Sequence, residues 1–160
     1  MAEMRLDAAW ECPRCGARGH GAAPEAGRRC RLCPPEGAAW QGVLAACGYN
    51  EAAARCVQLF KYHRRRELGE AMASIMWHEL PPMLEPLRGR INVVAPVPIH
   101  WCRRLWRGFN QSDLLAQAVA GIVGVPCRLH LMRRVRHTRR QALLPRESRP
   151  ENVRGAFAVH

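Results

Sequence analysis

The 160-residue sequence contains very little lysine or aspartate and no long hydrophobic run. Lys61 is the only lysine, and Asp7 and Asp113 are the only aspartates. No apolar segment approaches the roughly 20 residues of a membrane-spanning helix, so we predict no membrane insertion. The segment Met1–Asp7 includes acids and lacks the apolar region of a secretory signal, so we expect a cytoplasmic protein.

Positive charge is concentrated in the last seventy residues. The whole chain carries 25 lysine and arginine residues against 13 acids, a net charge of +12. Residues 91–160 hold twelve bases and three acids (+9), whereas residues 1–56 hold seven bases and six acids (+1). Such a surface attracts the phosphate groups of nucleic acid or of a phosphorylated small molecule. A solvated basic face is the alternative.

The eight cysteines divide into two spaced pairs and four single residues. Each pair has C-x-x-C spacing, which presents two thiolates to one metal ion. Because four thiolates close a tetrahedral shell, we predict a structural zinc ion held by Cys12, Cys15, Cys30 and Cys33. Free or redox-active thiols are the alternative. The single residues Cys47, Cys56, Cys102 and Cys127 are interpreted as buried small side chains.

Apolar residues recur at helical spacing in three segments. The spacing predicts helices over about 51–62 and 67–79, the first capped by Asn50 and the second ended by Pro81-Pro82. A third helix follows a cap at Asn110 or Ser112 and ends at Gly124.

Short apolar runs at 91–95 and 127–132 are typical of buried parallel strands, and a further run ends at Val159. Strands that alternate with helices favour an α/β domain with a parallel sheet. Two or three strands are too few for a finished sheet, so we expect an incomplete domain.

A basic loop is predicted between the strand at 91–95 and Phe109. Loops at the carboxyl ends of parallel strands bind ligands, and the following helix N-terminus favours an anion. Arg103, Arg104 and Arg107 supply cations that can bind phosphate oxygens in pairs. A basic loop anchored by two tryptophans is the alternative.

Residues 133–149 contain seven arginines and are predicted to form a second loop. Three interpretations remain open. The loop can close over a polyphosphate, it can line a groove for single-stranded nucleic acid with Trp101, Trp106 or Phe109 stacking on bases, or it can be merely solvated.

The motifs in this order resemble the ComF family of bacterial competence proteins. They are the two C-x-x-C pairs, Leu59–Tyr62, Val93–His100, Arg107–Gln111, Arg136–Gln141 and Arg149–Val153. The resemblance covers about 12–159. It implies a double zinc ribbon at 1–46, followed at 47–160 by part of a type I phosphoribosyltransferase-like parallel-sheet domain.

The resemblance also implies a site for phosphoribosyl pyrophosphate (PRPP), with Mg²⁺ expected only in the complete protein. Its pyrophosphate-binding residues are Pro96, Val97, Pro98, Arg103, Arg104, Arg107, Asn110 and Gln111. Its flexible loop comprises Arg136, Thr138, Gln141, Arg149 and Asn152.

One feature of phosphoribosyltransferases is missing from the sequence. No two acidic residues are adjacent, so the acidic PRPP loop has no counterpart. We therefore expect a C-terminally truncated member of the family, involved in DNA uptake during natural transformation and without transferase activity on its own. The alternative is a non-enzymatic module that binds single-stranded DNA and has a structural zinc ribbon. A protein partner from the competence machinery fits either interpretation.

Overall fold

The computed structural model describes residues 10–12, 14–19, 22, 30, 33, 42–62, 65 and 67–160. The chain divides into two compact units between Arg55 and Cys56. None of the helices in the described ranges has the length and apolar character needed to cross a lipid bilayer. The predicted domains at 1–46 and 47–160 stay a prediction.

A small hairpin lies in the N-terminal unit. Strand β1 (Trp10–Glu11) pairs antiparallel with β2 (Arg18–Gly19), with Trp10 opposite Gly19. A Cβ added to Gly19 would lie 2.4 Å from the Trp10 ring. The glycine therefore lets the indole lie directly on the neighbouring strand.

The first predicted helix is confirmed. Helix α1 spans Glu51–Tyr62, and the Asn50 side chain accepts a hydrogen bond from the backbone N–H of Ala53 at 3.0 Å. This is the cap that the sequence predicts, since asparagine readily accepts from the first free N–H groups of a helix.

The second helix is longer than predicted. Helix α2 spans Glu67–Leu84 and continues into a 3-10 turn at Glu85–Leu87, so Pro81 and Pro82 do not end it. Each proline removes one N–H donor and leaves the carbonyl four residues earlier without its usual partner. Those carbonyls belong to Trp77 and His78, which are exposed, so water can satisfy them.

The predicted loop up to Phe109 contains a helix. Helix α3 spans Trp101–Arg107, and Gly108, at φ 83°, ends it. Trp101 and Leu105 lie one turn apart and are 64% and 72% exposed. This short helix presents its apolar side chains to solvent, so its sequence does not resemble that of a helix packed on a core.

The third predicted helix is confirmed as α4, which spans Gln111–Val123. Asn110 caps its N-terminus, and Gly124, at φ 76°, ends it. Helix α4 packs against α2. At Gly69 of α2, an added Cβ would lie 2.9 Å from the ring of Phe60 and 3.0 Å from Leu114 of α4. Glycine is thus required where the two helices meet.

The sheet of the C-terminal unit is antiparallel rather than parallel. Strand β3 (Met132–Arg134) pairs with β4 (Phe157–Val159), and Met132 lies opposite Val159. The strand predicted at 127–132 therefore begins later, at Met132.

The predicted parallel pairing is reduced to one bridge between Val94 and Cys127. The N–H of Arg128 donates to the Val94 carbonyl at 2.9 Å. Parallel strands are stable when both faces are covered, but Asn92 and Val93 are exposed. The described residues thus show a mixed helical structure with small antiparallel sheets, and they show no parallel pairing beyond this one bridge.

The segment predicted as an arginine-rich loop contains short regular elements. These are β3, 3-10 turns at Gln141–Leu143 and Arg146–Ser148, and helix α5 (Arg149–Val153). Polar side chains of the same segment hold these elements together, as described below.

Candidate metal centre and basic clefts

The four predicted ligand cysteines lie together. The Sγ atoms of Cys12, Cys15, Cys30 and Cys33 are all within 4.8 Å of one another. The Cys12–Cys33, Cys15–Cys30 and Cys30–Cys33 separations are 3.6, 3.4 and 3.8 Å. Two thiolates bound at about 2.3 Å to one tetrahedral ion lie about 3.8 Å apart. The cluster therefore has the dimensions of a four-cysteine site and could hold a zinc ion.

A tight turn of the backbone presents the first cysteine pair. The N–H of Gly16 donates to the Cys12 carbonyl at 2.8 Å, and the Cys12 N–H donates to the Ala17 carbonyl at 2.7 Å. Gly16 has φ 68°, a conformation that glycine adopts without strain. An added Cβ there would also lie 3.0 Å from Val43.

The protein environment acts differently on the thiols. Hydrogen bonds from the backbone N–H groups of Cys15 and Arg14 lower the pKa of Cys12 to about 6. Burial raises the pKa of Cys15 to about 12 and also raises that of Cys33. Several thiolates at this position therefore need a cation to compensate their charge.

Residues 107–111 tie the start of α4 to the proline-containing loop. Asn110 is 4% exposed, and its Nδ2 donates to the Val97 carbonyl at 3.3 Å and to the Asp113 carboxylate at 2.6 Å. Its Oδ1 accepts from the Ser112 N–H at 3.4 Å. The whole amide group of Asn110 is thus used inside the protein.

Gln111 is buried as well. Its Nε2 donates to the Phe60 carbonyl at 3.4 Å, and its Oε1 accepts from Arg107 at 3.2 Å. Phe109 packs against Phe60, with ring centroids 5.7 Å apart. The predicted ligand contacts of Asn110 and Gln111 stay a prediction, but in this structure both amides join segments of the chain.

Two arginines surround Tyr62. The guanidinium carbons of Arg107 and Arg140 lie 5.2 and 5.3 Å from the centre of its ring. The Trp106 ring packs against it in an edge-to-face arrangement, with ring centroids 6.1 Å apart. Burial, together with the charges of Arg103 and Arg140, lowers the pKa of Arg107, and the Nε atom of Arg107 is buried without a partner. An anion nearby would relieve this repulsion.

Arg103 and Arg134 both bind Thr138, which is 4% exposed. Arg103 Nη2 donates to the Thr138 carbonyl at 2.6 Å, and Arg134 donates to its hydroxyl. The Nε atom of Arg134 is buried without a partner, and burial and the charges of Arg103 and Arg136 lower its pKa. Helix α3 is thereby connected to the arginine-rich segment.

Asn152 organises the predicted flexible loop. Its side chain accepts from the Arg139 N–H at 3.2 Å and donates to the Arg139 carbonyl at 3.1 Å and to Gln141 Oε1 at 2.9 Å. Gln141 donates to the Arg149 carbonyl at 3.1 Å, and Arg136 to the Arg154 carbonyl at 2.5 Å. Four of the five residues assigned to a flexible loop are therefore joined in one hydrogen-bonded network, whereas the fifth, Thr138, is bound by Arg103 and Arg134.

Two clefts with separate linings adjoin these arginines. The first, the proline-loop cleft, has a volume of about 490 Å³ and is lined among others by Pro98, Trp101, Arg104, Asn110, Arg133 and Arg134. Asp113 also lines it, 4.0 Å from Arg104. The second, the leucine cleft, has a volume of about 690 Å³ and is lined among others by Arg103, Trp106, Arg139, Arg140, Leu143 and Leu144.

Sequence reasoning missed several of these residues. His100 is buried, and its Nδ1 accepts from the Cys102 N–H at 3.4 Å as the cap of α3. The i,i+4 spacing of Cys102 and Trp106 was the available signal for that helix. Cys102 is exposed, which corrects its interpretation as a buried side chain. Tyr62 belongs to the motif Leu59–Tyr62, but its contact with Arg140 gave no signal because the two residues are 78 positions apart in the sequence.

Comparison with known proteins finds relatives among curated sequences. No protein-family model matches the chain, and no solved structure matches it significantly. The relatives are bacterial proteins of competence and DNA utilization. The chain is 34% identical to the DNA utilization protein YhgH of Salmonella typhi over 156 aligned positions, and the match covers 92% of this chain and 64% of that protein.

The Escherichia coli K12 protein of the same name is 29% identical over the same shares of both chains. Competence protein F of Haemophilus influenzae is 24% identical over 82% of this chain and 58% of its own length. The chain is thus a homologue of these competence and DNA utilization proteins, and the predicted resemblance is confirmed. It spans less than two thirds of the length of each of them.

Proposed function

We propose that the chain takes part in DNA utilization and binds phosphate groups at the proline-loop cleft. The names of its relatives support the first part. The observation that carries the second part is the arrangement of Arg104, Arg133 and Arg134 around one cleft beside the proline-containing loop. We propose PRPP as the phosphate ligand, and we assign no residue here to its Mg²⁺.

The charges of this cleft favour an anion. Arg134 has a buried Nε without a partner and lies close enough to Arg103 and Arg136 for their charges to act on it. Asp113 is the acidic residue in the lining, and Arg104 lies 4.0 Å from its carboxylate. Guanidinium groups bind phosphate oxygens in pairs, so a polyphosphate suits this lining.

We also propose that this region has a phosphoribosyltransferase-like fold, and the topology around the cleft supports it. The parallel bridge joins Val94 to Cys127, and α3 and α4 lie between them in the sequence. A parallel connection through a helix is the unit from which α/β sheets are built. Ligands of such sheets bind just beyond the strand that leads into the helix, which is where Pro98 lies.

Calorimetric titration of the 160-residue chain with PRPP and with pyrophosphate at fixed salt tests the proposal. We expect PRPP to bind more tightly, and Arg104→Gln and Arg133→Gln each to weaken binding about tenfold, as for a lost charged hydrogen bond. Arg154→Gln is the matched control, because Arg154 is exposed, pairs with Glu151 at 3.1 Å and lies outside the cleft.

Two results would contradict the proposal. One is equal affinity for PRPP and pyrophosphate, which would leave no pocket for the ribose. The other is an equal loss of affinity in Arg154→Gln, which would indicate a general charge effect. We also expect no pyrophosphate release from PRPP by this chain, because it has no adjacent acidic residues to hold the ribose hydroxyls. Measured release would overturn that expectation.

Binding of single-stranded DNA is a second candidate function. Trp101 is 64% exposed and lines the same cleft as Arg104, so a base can stack where its phosphate meets a cation. In this case affinity for an oligonucleotide should fall steeply with salt, with log K decreasing by about 0.7 per contacted phosphate for each unit of log salt. Affinity that stays constant with salt, or is unchanged by Trp101→Ala, would exclude this function.

We further propose that the four-cysteine cluster holds zinc in a structural role. The support is the set of sulfur separations of 3.4 to 3.8 Å. Four thiolates leave no coordination position for water, so such a site is closed to catalysis. Metal analysis of the purified chain should give about one zinc ion per chain, and Cys127→Ser should retain it because Cys127 lies outside the cluster. A chain that is purified without zinc and is as well folded as the zinc-containing chain would contradict the structural role.

A further inference from the structure

We propose that the leucine cleft binds an acidic peptide segment of a partner protein, in which apolar side chains alternate with carboxylates. The residues that line this cleft are all different from those of the proline-loop cleft. The inference therefore does not rest on phosphate binding, and each can fail without the other.

The apolar part of the cleft comes from two elements. Trp106 of α3 is 55% exposed, and Leu143 of the 3-10 turn at Gln141–Leu143 is 76% exposed. Leu144, the next residue, also lines the cleft. Burying such side chains against apolar groups of a partner is favourable because it removes their surface from water.

The charged part of the cleft is entirely basic. Arg103, Arg139 and Arg140 line it, and none of its lining residues is acidic. Within the described part of the chain, these three arginines form no ion pair with a carboxylate. Arg103 is already bound to the Thr138 carbonyl, so Arg139 and Arg140 are the cations left for a partner. Their charge complements carboxylates, which bind guanidinium groups in pairs.

The aliphatic lining distinguishes a peptide from nucleic acid. Bases stack on aromatic rings along a continuous line of cations. Trp106 is the exposed indole of this lining, but Leu143 and Leu144 offer no further ring to continue a stack. The two leucines can instead pack against aliphatic or aromatic side chains of a peptide. The mixture of two leucines and an arginine pair is the complement of a segment in which apolar and acidic residues alternate.

The binding residues are already held in place. The Asn152 side chain fixes both the N–H and the carbonyl of Arg139, and it donates to the side chain of Gln141, where the leucine-bearing turn begins. Arg140 is positioned by the Tyr62 ring, 5.3 Å from its guanidinium carbon. A partner would therefore lose little affinity to the ordering of this surface.

Fluorescence anisotropy with the 160-residue chain tests the proposal. The probe is a labelled synthetic peptide of alternating glutamate and leucine, compared with one in which serine replaces leucine and one in which glutamine replaces glutamate. We expect the first probe to bind at least about tenfold more tightly than either control peptide. Leu143→Ser and Arg140→Gln should each weaken its binding about tenfold.

Leu105→Ser is the matched control variant. Leu105 is 72% exposed on α3 but lines neither cleft, so its replacement should leave peptide affinity unchanged. Circular dichroism of each variant verifies that it is folded. Asn152→Ala adds a readout that does not touch the peptide-contacting side chains, and we expect weaker peptide binding because the backbone of Arg139 loses the side chain that holds it.

Three results would overturn the proposal. The first is no binding of the glutamate–leucine probe, and the second is equal binding of the serine peptide, which would indicate charge attraction alone. The third is displacement of the probe by oligothymidylate together with loss of oligothymidylate binding in Leu143→Ser, which would make the cleft a nucleic-acid site. If phosphate binding at Arg133 failed while the peptide still bound, only the proposed function would be lost.

Discussion

The two compact units of the chain are stabilised by different means. In the N-terminal unit, the residues that are buried among those described include Cys12 and Cys30, and their sulfurs belong to the four-cysteine cluster. In the C-terminal unit the buried residues are apolar side chains such as Phe60, Leu80 and Ala116. The described core of the first unit thus includes a cysteine cluster that could hold a metal ion, whereas that of the second is built by the packing of helices.

The units also differ in what their polar side chains do. The cysteine cluster collects four equivalent groups around one point. Around α3, by contrast, Arg103, Arg134 and Asn152 each bind backbone or side-chain oxygens of the arginine-rich segment. The cluster thus directs its four thiols at one point, whereas the arginine-rich segment spreads its hydrogen bonds over several positions.

Removal of the proposed zinc ion should give the largest loss of stability, and the loss should be limited to the N-terminal unit. Structural zinc binding is worth on the order of 10 kcal/mol at neutral pH. We expect a chelator, or Cys15→Ser, to abolish hydrogen-exchange protection in peptides from residues 10–33 while helices α2 and α4 stay protected. Cys102→Ser is the control, because Cys102 is exposed and lies outside the cluster. Loss of protection in both units together would contradict the view that the two units are stabilised by different means.

Truncation of Phe60 should destabilise the C-terminal unit and leave the cysteine cluster unaffected. Phe60 is 2% exposed, contacts Phe109 and lies under the junction of α2 with α4. Phe60→Ala leaves a cavity and should lower the free energy of unfolding by about 3–5 kcal/mol. Urea denaturation followed by helical circular dichroism measures it, and zinc content should not change. Leu105→Ala, at a residue 72% exposed, should change stability by less than about 0.5 kcal/mol.

Local features of the fold could be predicted from the sequence, and contacts over long separations could not. The caps at Asn50 and Asn110 and the C-terminal glycine of α4 follow from residue preferences at helix ends. The parallel sheet was predicted from strand propensity, which does not specify the partner of a strand. The structure has one parallel bridge at this place. The sequence therefore predicted helices more reliably than the pairing of strands.

The candidate sites show the same limit. Spacing alone identified the four cysteines, since metal ligands need short, regular separations. The amides of Asn110 and Gln111 were assigned to a ligand, yet they bind the Val97 and Phe60 carbonyls. An amide serves either purpose equally well, so the assignment of Asn110 and Gln111 to a ligand stays a prediction, and the carbonyl that Gln111 binds is 51 residues away in the sequence.

Replacement of Asn110 tests whether this residue joins two segments of the C-terminal unit. Asn110→Ala removes the α4 cap and the bond to Val97, and it should cost about 1–2 kcal/mol in thermal or urea unfolding. Asn110→Ser keeps a capping oxygen without placing a second carboxylate beside Asp113, and it should recover part of that loss. If both variants were as stable as the parent chain, Asn110 would be free for a ligand, and its prediction as a phosphate contact would gain weight.

The smallest effect we expect is a pH dependence confined to the C-terminal unit. Burial, and then the charges of His137, Arg134 and Arg103, hold the pKa of His100 below its ordinary value of 6.5. Below pH 6.5 the unfolded chain therefore binds a proton at this position more readily than the folded chain, so stability falls as the pH falls through this range. Protonation of Nδ1 would also remove the acceptor that caps α3. His100→Asn keeps an acceptor at the cap without titrating in this range, so urea midpoints of the helical signal between pH 7 and pH 5 should vary less than in the parent chain. An equal pH dependence in both chains would assign the effect to other groups, with His137→Asn as the next variant to measure.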